Sequence, residues 1–228
     1  MEATDIIDKN SEDYARKDMN GMYRWTRHVY DMSRKYYLLG RDYLIEHLKP
    51  QAGQTVCEIG CGTARNLIKL AEKYPDAKFY GLDASDEMLK TARNNIKGAN
   101  LDQKIVLKQG FSQSFEPKVL FDLETDIDKI VFSYALSIIP PWKESLEHAC
   151  SKMAPDGEMH IVDFGSQEGL PKTFRHVLFW FLDKFHVYHK PEILEHLREM
   201  EQEGKGALVV KDLYKGYAYH AIFKKIQK

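Results

Sequence analysis

From Pro50 onward the apolar positions alternate between two spacings. Short unbroken apolar runs read as strands buried on both faces, and runs with apolar residues three and four apart read as helices packed on one side. Thr55 to Ile59 is the first strand, and Ala64 to Lys73, with Leu67, Ile68, Leu70 and Ala71, the helix after it. Lys78 to Leu82 is the second strand. Ser85 to Lys97 is a helix with a capping start at Ser85 and a stop at Gly98. Ile105 to Gln109 follows as the third strand, Ile127 to Phe132 as the fourth and Glu158 to Asp163 as the fifth, with a helix at Trp142 to Ala154. Gly110 to Asp126 has no period and reads as loop with one short element. Strands separated by helices require right-handed parallel crossovers, which gives an α/β, doubly wound sheet.

The ends of the chain break this rhythm. Leu208 to Leu213 and Tyr217 to Phe223 are joined across Lys215-Gly216 and read as a hairpin, so one late strand runs antiparallel. Residues 1 to 20 are polar. From Met22 the chain turns aromatic and basic, with Tyr23, Tyr30 and Tyr37, and Arg27, Arg34 and Arg41, each recurring every seventh residue along one side of a helix. Gly40 interrupts it, Asp42 is placed to cap a second helix from Tyr43 to Leu48, and Pro50 ends that helix. The division expected is a helical, substrate-capping extension over residues 1–48 and a catalytic core over 50–225 of one domain. Between the fifth strand and the hairpin, Phe174 to His189 is rich in aromatic residues. It is too short to span a bilayer and reads as a core helix, the alternative being an interfacial element that packs lipid or lines the substrate cavity.

Composition narrows the function classes. With 228 residues, 43% hydrophobic and 29% charged, the chain suits one domain with a full core. A net charge of -1 offers no basic field for nucleic acid. The three cysteines, Cys57, Cys61 and Cys150, form neither a disulfide framework nor a zinc spacing, and no histidine cluster suggests a metal. The expected setting is cytoplasmic, and the pattern does not fix the oligomeric state.

The chemistry concentrates in Glu58-Ile59-Gly60-Cys61-Gly62-Thr63-Ala64, a strand that turns through two glycines into a helix. Such a turn lets a ligand approach bare backbone. A pyrophosphate is disfavoured because the carboxylate of Glu58 would repel it, whereas an ammonium group would be attracted. Asp83, closing the second strand, stands where an acidic residue grips ribose hydroxyls. An amino group and a ribose without phosphates describe S-adenosylmethionine. The plain alternative is a glycine turn needed only to reverse the chain.

The strings Glu58 to Thr63 and Gly81 to Asp83 resemble the class I S-adenosylmethionine-dependent methyltransferases over about residues 50 to 225. The resemblance implies a Rossmann-like, seven-stranded sheet, mostly parallel with a terminal antiparallel strand. Where many members have a third glycine this chain has Ala64, so the helix should start slightly farther from the ligand. On this pattern Glu58, Gly60 and Gly62 face the amino acid portion of the cofactor and Asp83 its ribose. Ala84 and Met88 flank the adenine, Gly110 and Phe111 complete its contacts, and Ser133 and Tyr134, after the fourth strand, lie nearest the methyl group.

A narrower resemblance begins at Tyr23-Arg24 and continues through Arg27-His28-Val29-Tyr30-Asp31 and Arg34 to Asp42. These residues are similar to the N-terminal signature of the betaine-lipid methyltransferases, which trimethylate diacylglyceryl-homoserine. The resemblance implies that Tyr23, Tyr30 and Tyr134 surround the reacting nitrogen, and that Arg27 or Arg34, with Tyr37, holds the headgroup. The aromatic stretch from Phe174 then becomes an acyl-chain contact, and the protein a peripheral partner of the inner membrane surface. A soluble amine as acceptor, or a cofactor-binding subunit without catalysis, are the competing readings.

Overall fold

The computed structural model describes residues 38–183 and 189–226. The aromatic-basic run containing Tyr23, Arg27, Tyr30, Arg34 and Tyr37 lies outside the described residues. The chain opens with helix α1 (Arg41–Leu48), then β1 (Thr55–Ile59), α2 (Arg65–Lys73), β2 (Lys78–Asp83), α3 (Asp86–Gly98), β3 (Ile105–Gln109) and α4 (Pro117–Phe121). It continues with β4 (Ile127–Ser133), α5 (Trp142–Ser151), β5 (Met153–Phe164), α6 (Lys172–Asp183), α7 (Pro191–Gln202), β6 (Gly206–Leu213) and β7 (Ala218–Lys225). These strands form one seven-stranded sheet in the order β3-β2-β1-β4-β5-β7-β6. β1 to β5 are parallel neighbours, and β7 inserts antiparallel between β5 and β6.

Both faces of the sheet are covered, which is why β1 is buried at all five positions and could be written as an unbroken apolar run around Glu58. Successive residues of each strand feed opposite cores. Val56, Phe79, Val131 and Val162 pack with Leu44, Leu67 and Leu89 from α1, α2 and α3. Cys57, Ile130, Phe132 and Ile161 pack with Leu146 and Leu197 from α5 and α7. β1 stands between β2 and β4, and the chain winds away from it in both directions. The switch point therefore lies at the carboxyl ends of β1 and β4, where open α/β sheets bind ligands.

Several boundaries correct the reading from the sequence. Asp42 does not cap α1. Gly40 occupies the cap with φ 93°, and Asp42 lies in the first turn with Oδ1 2.9 Å from the Arg65 guanidinium. A Cβ at position 40 would fall 2.8 Å from Val162 Cγ2, so only glycine fits that corner. The helix placed at Trp142 to Ala154 ends at Ser151, and β5 begins at Met153, which pairs with Ile127. Pro155 disfavours the helical conformation in the residue before it, which accounts for the early stop. The hairpin turn carries Tyr214, Lys215 and Gly216 with φ of 55°, 59° and 79°. Of the aromatic stretch, Phe174 to Asp183 lies in α6, where Leu178 is buried in the core and Trp180 is 62% exposed. No helix among the described residues is long and apolar enough to cross a membrane.

Candidate active site

The turn after β1 is held by backbone bonds to its neighbour strand. Gly60 N and Cys61 N both donate to Leu82 O, at 2.8 and 3.0 Å. Gly60 and Gly62 have φ of 72° and 53°, and a Cβ on Gly60 would meet Ala135 Cβ at 2.8 Å. Ala64 also adopts the left-handed conformation, with φ 63°, as the cap of α2. The alanine that stands in place of a third glycine carries the strain of this conformation, about 1–2 kcal/mol. The helix begins at Arg65, one residue later than its sequence pattern suggests.

Asp83 ties this turn to the end of β2. Its Oδ2 accepts from Gly62 N at 2.8 Å and its Oδ1 from Ser85 N at 2.9 Å. Ser85 in turn caps α3 by accepting from Met88 N. Gly110 N donates to Asp83 O at 3.1 Å, and Gln109 Nε2 to Ala84 O at 3.1 Å. Asp83, Ala84, Met88, Gly110 and Phe111 are thereby gathered at the carboxyl ends of β2 and β3. Ser112 Oγ, beside them in sequence, lies 2.6 Å from Ser145 Oγ of α5.

Glu58 is the electrostatic centre. It is 2% exposed; Oε1 accepts from Asn66 Nδ2 at 2.7 Å, and Oε2 is buried with no partner. Burial pushes its carboxyl up to about 7, against the opposing pull of the Asn66 amide and the Arg41 guanidinium. Ser133 Oγ, at the end of β4, is likewise buried without a partner. Both groups, with Gly60 and Gly62, line a cleft of about 360 Å³. A larger hollow of about 580 Å³ between α5, α7 and the end of β7 carries none of the unpartnered buried polar atoms.

Tyr134 sits next to the cleft in the left-handed region, φ 55°. Its hydroxyl donates to Leu39 O, its ring meets Phe164 edge-on at 4.6 Å, and burial raises its pKa well above the ordinary phenol value. It is a neutral donor that ties the segment before α1 to the end of β4, not a proton acceptor.

The structure thus brings Glu58, Gly60, Gly62 and Ser133 into one cleft, links Asp83 to it through Gly62, and sets Ala84, Met88, Gly110 and Phe111 along the adjoining strand ends. Sequence reasoning missed Asn66 and Arg41 as cleft residues. Asn66 carried a signal, since the first turn of a helix after such a strand faces back on the strand. Arg41 stands in the heptad of arginines, a pattern that by itself points to no ligand.

This arrangement suits a ligand with an ammonium group. The unpartnered Oε2 of Glu58 needs a donor, and a side chain at Gly60 would run into Ala135. A family model described as "Methyltransferase domain" matches residues 50–216. The chain belongs to this methyltransferase family. The demethylmenaquinone methyltransferase of Lactobacillus johnsonii is 28% identical over 153 residues, covering 64% of this chain and 61% of that protein. That of Geobacillus kaustophilus is 25% identical over 187 residues, covering 81% and 68%. The chain thus spans about 60% of the length of the first of these relatives. Among solved structures, the plantazolicin methyltransferase BpumL with bound SAH superposes with a TM-score of 0.67 at 15% identity, covering 96% of this chain and 99% of that one. The magnesium protoporphyrin IX methyltransferase ChlM of Synechocystis PCC 6803, also with SAH, gives 0.67 at 17% identity, covering 93% and 98%. These superpositions show that the chain shares their fold.

Proposed function

We propose that this methyltransferase acts on the amino group of a diacylglyceryl-homoserine lipid and carries it to the trimethylated betaine. The observation that carries the reading is the continuity of the aromatic-basic run with the cleft. Its last residues, Leu38 to Asp42, lie at the site: Leu38 and Arg41 line the cleft, and Leu39 O receives the Tyr134 hydroxyl. A chain segment that ends in the wall of the cofactor cleft is well placed to present an acceptor to it.

In this reading Glu58 holds the ammonium of the cofactor's amino acid end beside the backbone of Gly60 and Gly62. Asp83 receives the ribose, Ala84, Met88, Gly110 and Phe111 enclose the adenine, and Ser133 borders the reacting centre. When bound, the cofactor supplies an electrophilic methyl group on a sulfonium. The protein's work is then to aim a neutral amine lone pair along the line of displacement and to keep water out. The nitrogen gains positive charge as the bond forms. Tyrosine faces at Tyr23 and Tyr30 would stabilise that charge more than the uncharged amine, and Tyr134 would fix the segment that carries them. Arg27 or Arg34, with Tyr37, would grip the homoserine carboxylate through paired hydrogen bonds. Trp180 offers an exposed aromatic surface on α6 for the acyl chains.

The names of the curated relatives favour a second reading, in which the acceptor is demethylmenaquinone. The test is incubation with methyl-labelled cofactor and, separately, diacylglyceryl-homoserine, demethylmenaquinone and a water-soluble cell extract. Label in the lipid headgroup supports the proposal. Label only in demethylmenaquinone, or only in soluble amines, overturns it in favour of that acceptor.

A further inference from the structure

The face of the sheet that packs against α1 through Val131 and Val162 also carries a polar row. His160 of β5 pairs with Val131 and His220 of β7 with Val162, so both imidazoles lie on that face, and both are buried. His160 Nδ1 lies 3.2 Å from His220 Nε2, and His160 Nε2 lies 3.0 Å from Glu158 Oε2. Lys129 Nζ of β4 pairs with the same Glu158 oxygen at 2.5 Å. The row closes with one proton on each imidazole: His160 donates from Nε2 to Glu158 and accepts on Nδ1 from His220 Nε2. A further proton has no counter-charge. Glu158 is already matched by Lys129, and the other titratable groups facing the pair are Lys211 of β6 and Tyr43 and His47 of α1. Burial holds both imidazoles below the ordinary range, His220 down to about 3 with the charges of His160, His47 and Lys211 adding to it.

The cover over this row is the helix that leads into the cleft. Tyr43 and His47 stack at 3.7 Å, and their rings lie 5.5 and 6.5 Å from that of His220. Lys211 Nζ lies 4.9 Å from the Tyr43 ring. The other flank of α1 is tied to α2, through Asp42 to Arg65 and through the Tyr74 hydroxyl, which donates to Ile45 O at 3.1 Å. Release on the His220 side would therefore swing α1 about its α2 side. Leu38 and Arg41, at the start of α1, line the cleft and would move with it.

We propose that His160 and His220 form a pH-sensitive latch: the neutral pair seats α1 on the sheet and completes the cleft wall, and protonation favours α1 lifted from β5 and β7. Its bearing on cofactor binding rests on the reading of the cleft given above; the latch itself does not.

The test is hydrogen exchange of the α1 amides, Leu44 to Leu48, in the full chain without ligand at pH 7.5 and pH 5.5, corrected for intrinsic exchange. When lifting α1 returns His220 to an ordinary 6.5, the opened fraction rises about tenfold between these pH values, and release of His160 adds to it. Protection of α1 should therefore fall by about 10- to 100-fold at pH 5.5. There α1 should also exchange faster than the β1 amides, Val56 to Ile59, which marks a local opening. Wild-type protein whose α1 protection is the same at both pH values overturns the proposal without any variant. So does equal protection of α1 and β1 at pH 5.5, because α1 would then leave only when the whole chain unfolds. His220→Gln, whose amide can still donate to His160, should reduce the pH-dependent change by about tenfold, and a variant that keeps the full change refutes the latch. Glu58→Gln should keep it in full; its loss there would assign the pH dependence to Glu58 and overturn the proposal.

Discussion

Replacing Glu58 by Gln should make the cofactor-free protein more stable at pH 8 while weakening its hold on the cofactor. Glu58 is buried, with Oε2 unpartnered and its carboxyl raised to about 7 from an ordinary 4.5. A raised acid disfavours the folded state above its folded pKa, and the penalty is relieved as pH falls through about 7 toward 4.5. At pH 8 it amounts to about 3 kcal/mol and at pH 5.5 to about 1.4 kcal/mol, from 1.36 kcal/mol per pKa unit. Gln keeps the acceptor for Asn66 Nδ2 and sheds the charge, although its own amide must still be desolvated. The expected gain is therefore about 1–3 kcal/mol at pH 8, or roughly 2–10 °C in Tm for a chain of this size. The assay is thermal denaturation of both proteins without cofactor at pH 8 and pH 5.5. The advantage of Glu58→Gln should shrink by about 2 kcal/mol at the lower pH. Saturating S-adenosylhomocysteine should reverse the order at pH 8. A stability difference that does not change with pH, or a variant less stable than wild type at pH 8, would refute the idea that a buried, ligand-seeking charge sits at this position.

Further outcomes follow from other contacts. Asp83→Asn should weaken S-adenosylhomocysteine by about tenfold or more in calorimetry, since it removes the charge from an acceptor of two backbone amides and of the proposed ribose; unchanged affinity would remove Asp83 from the site. Gly40→Ala should destabilise by about 2–4 kcal/mol in urea unfolding, because it combines a left-handed backbone with a 2.8 Å clash on Val162; a neutral effect would mean that the corner relaxes. Tyr30→Leu should lower kcat on the lipid acceptor several-fold without changing cofactor affinity, and equal turnover would dismiss the proposed headgroup pocket. His220 is held down to about 3 from 6.5, by burial first and by the charges of His160, His47 and Lys211 next. A depressed base favours the folded state while it is neutral, so its contribution is lost as pH falls below 6.5. His220→Gln should flatten the acid limb of the stability profile, and an unaltered limb would show that His220 does not titrate there.

The fold was legible because its signals are local. Each parallel strand is an unbroken apolar run bounded by a helix pattern, and the hairpin announces itself at Lys215-Gly216. The departures have nonlocal or steric causes. Asp42 looks like a cap in sequence but is drawn to Arg65, 23 residues on. Met153 and Ala154 look helical until Pro155 is given its steric weight against the preceding turn. At Ala64 the backbone is left-handed, a conformation that nothing in the sequence announces for an alanine. Only the surrounding bonds, Ala64 N to Cys61 O and Ile68 N to Ala64 O, show why it is forced to do so.

The site divides along the same line, and the division says what each half of the chain contributes. Glu58, Gly60, Gly62 and Asp83 sit at spacings that one strand-turn-helix and the next strand must reproduce, so their gathering follows from the fold itself. Arg41 enters the cleft from 17 positions before Glu58, and Tyr134 reaches Leu39 across 95 residues. Neither contact has a sequence period, because each depends on how α1 lies over the finished sheet. In the proposed reading the donor half of the cleft is written into the core, whereas the acceptor half would be brought by the segment that continues into Leu39, Arg41 and Asp42. A scaffold built this way can keep its cofactor chemistry constant while the attached segment changes. Exchange of the residues before Leu38 should therefore alter which acceptor is methylated and leave S-adenosylhomocysteine affinity nearly unchanged.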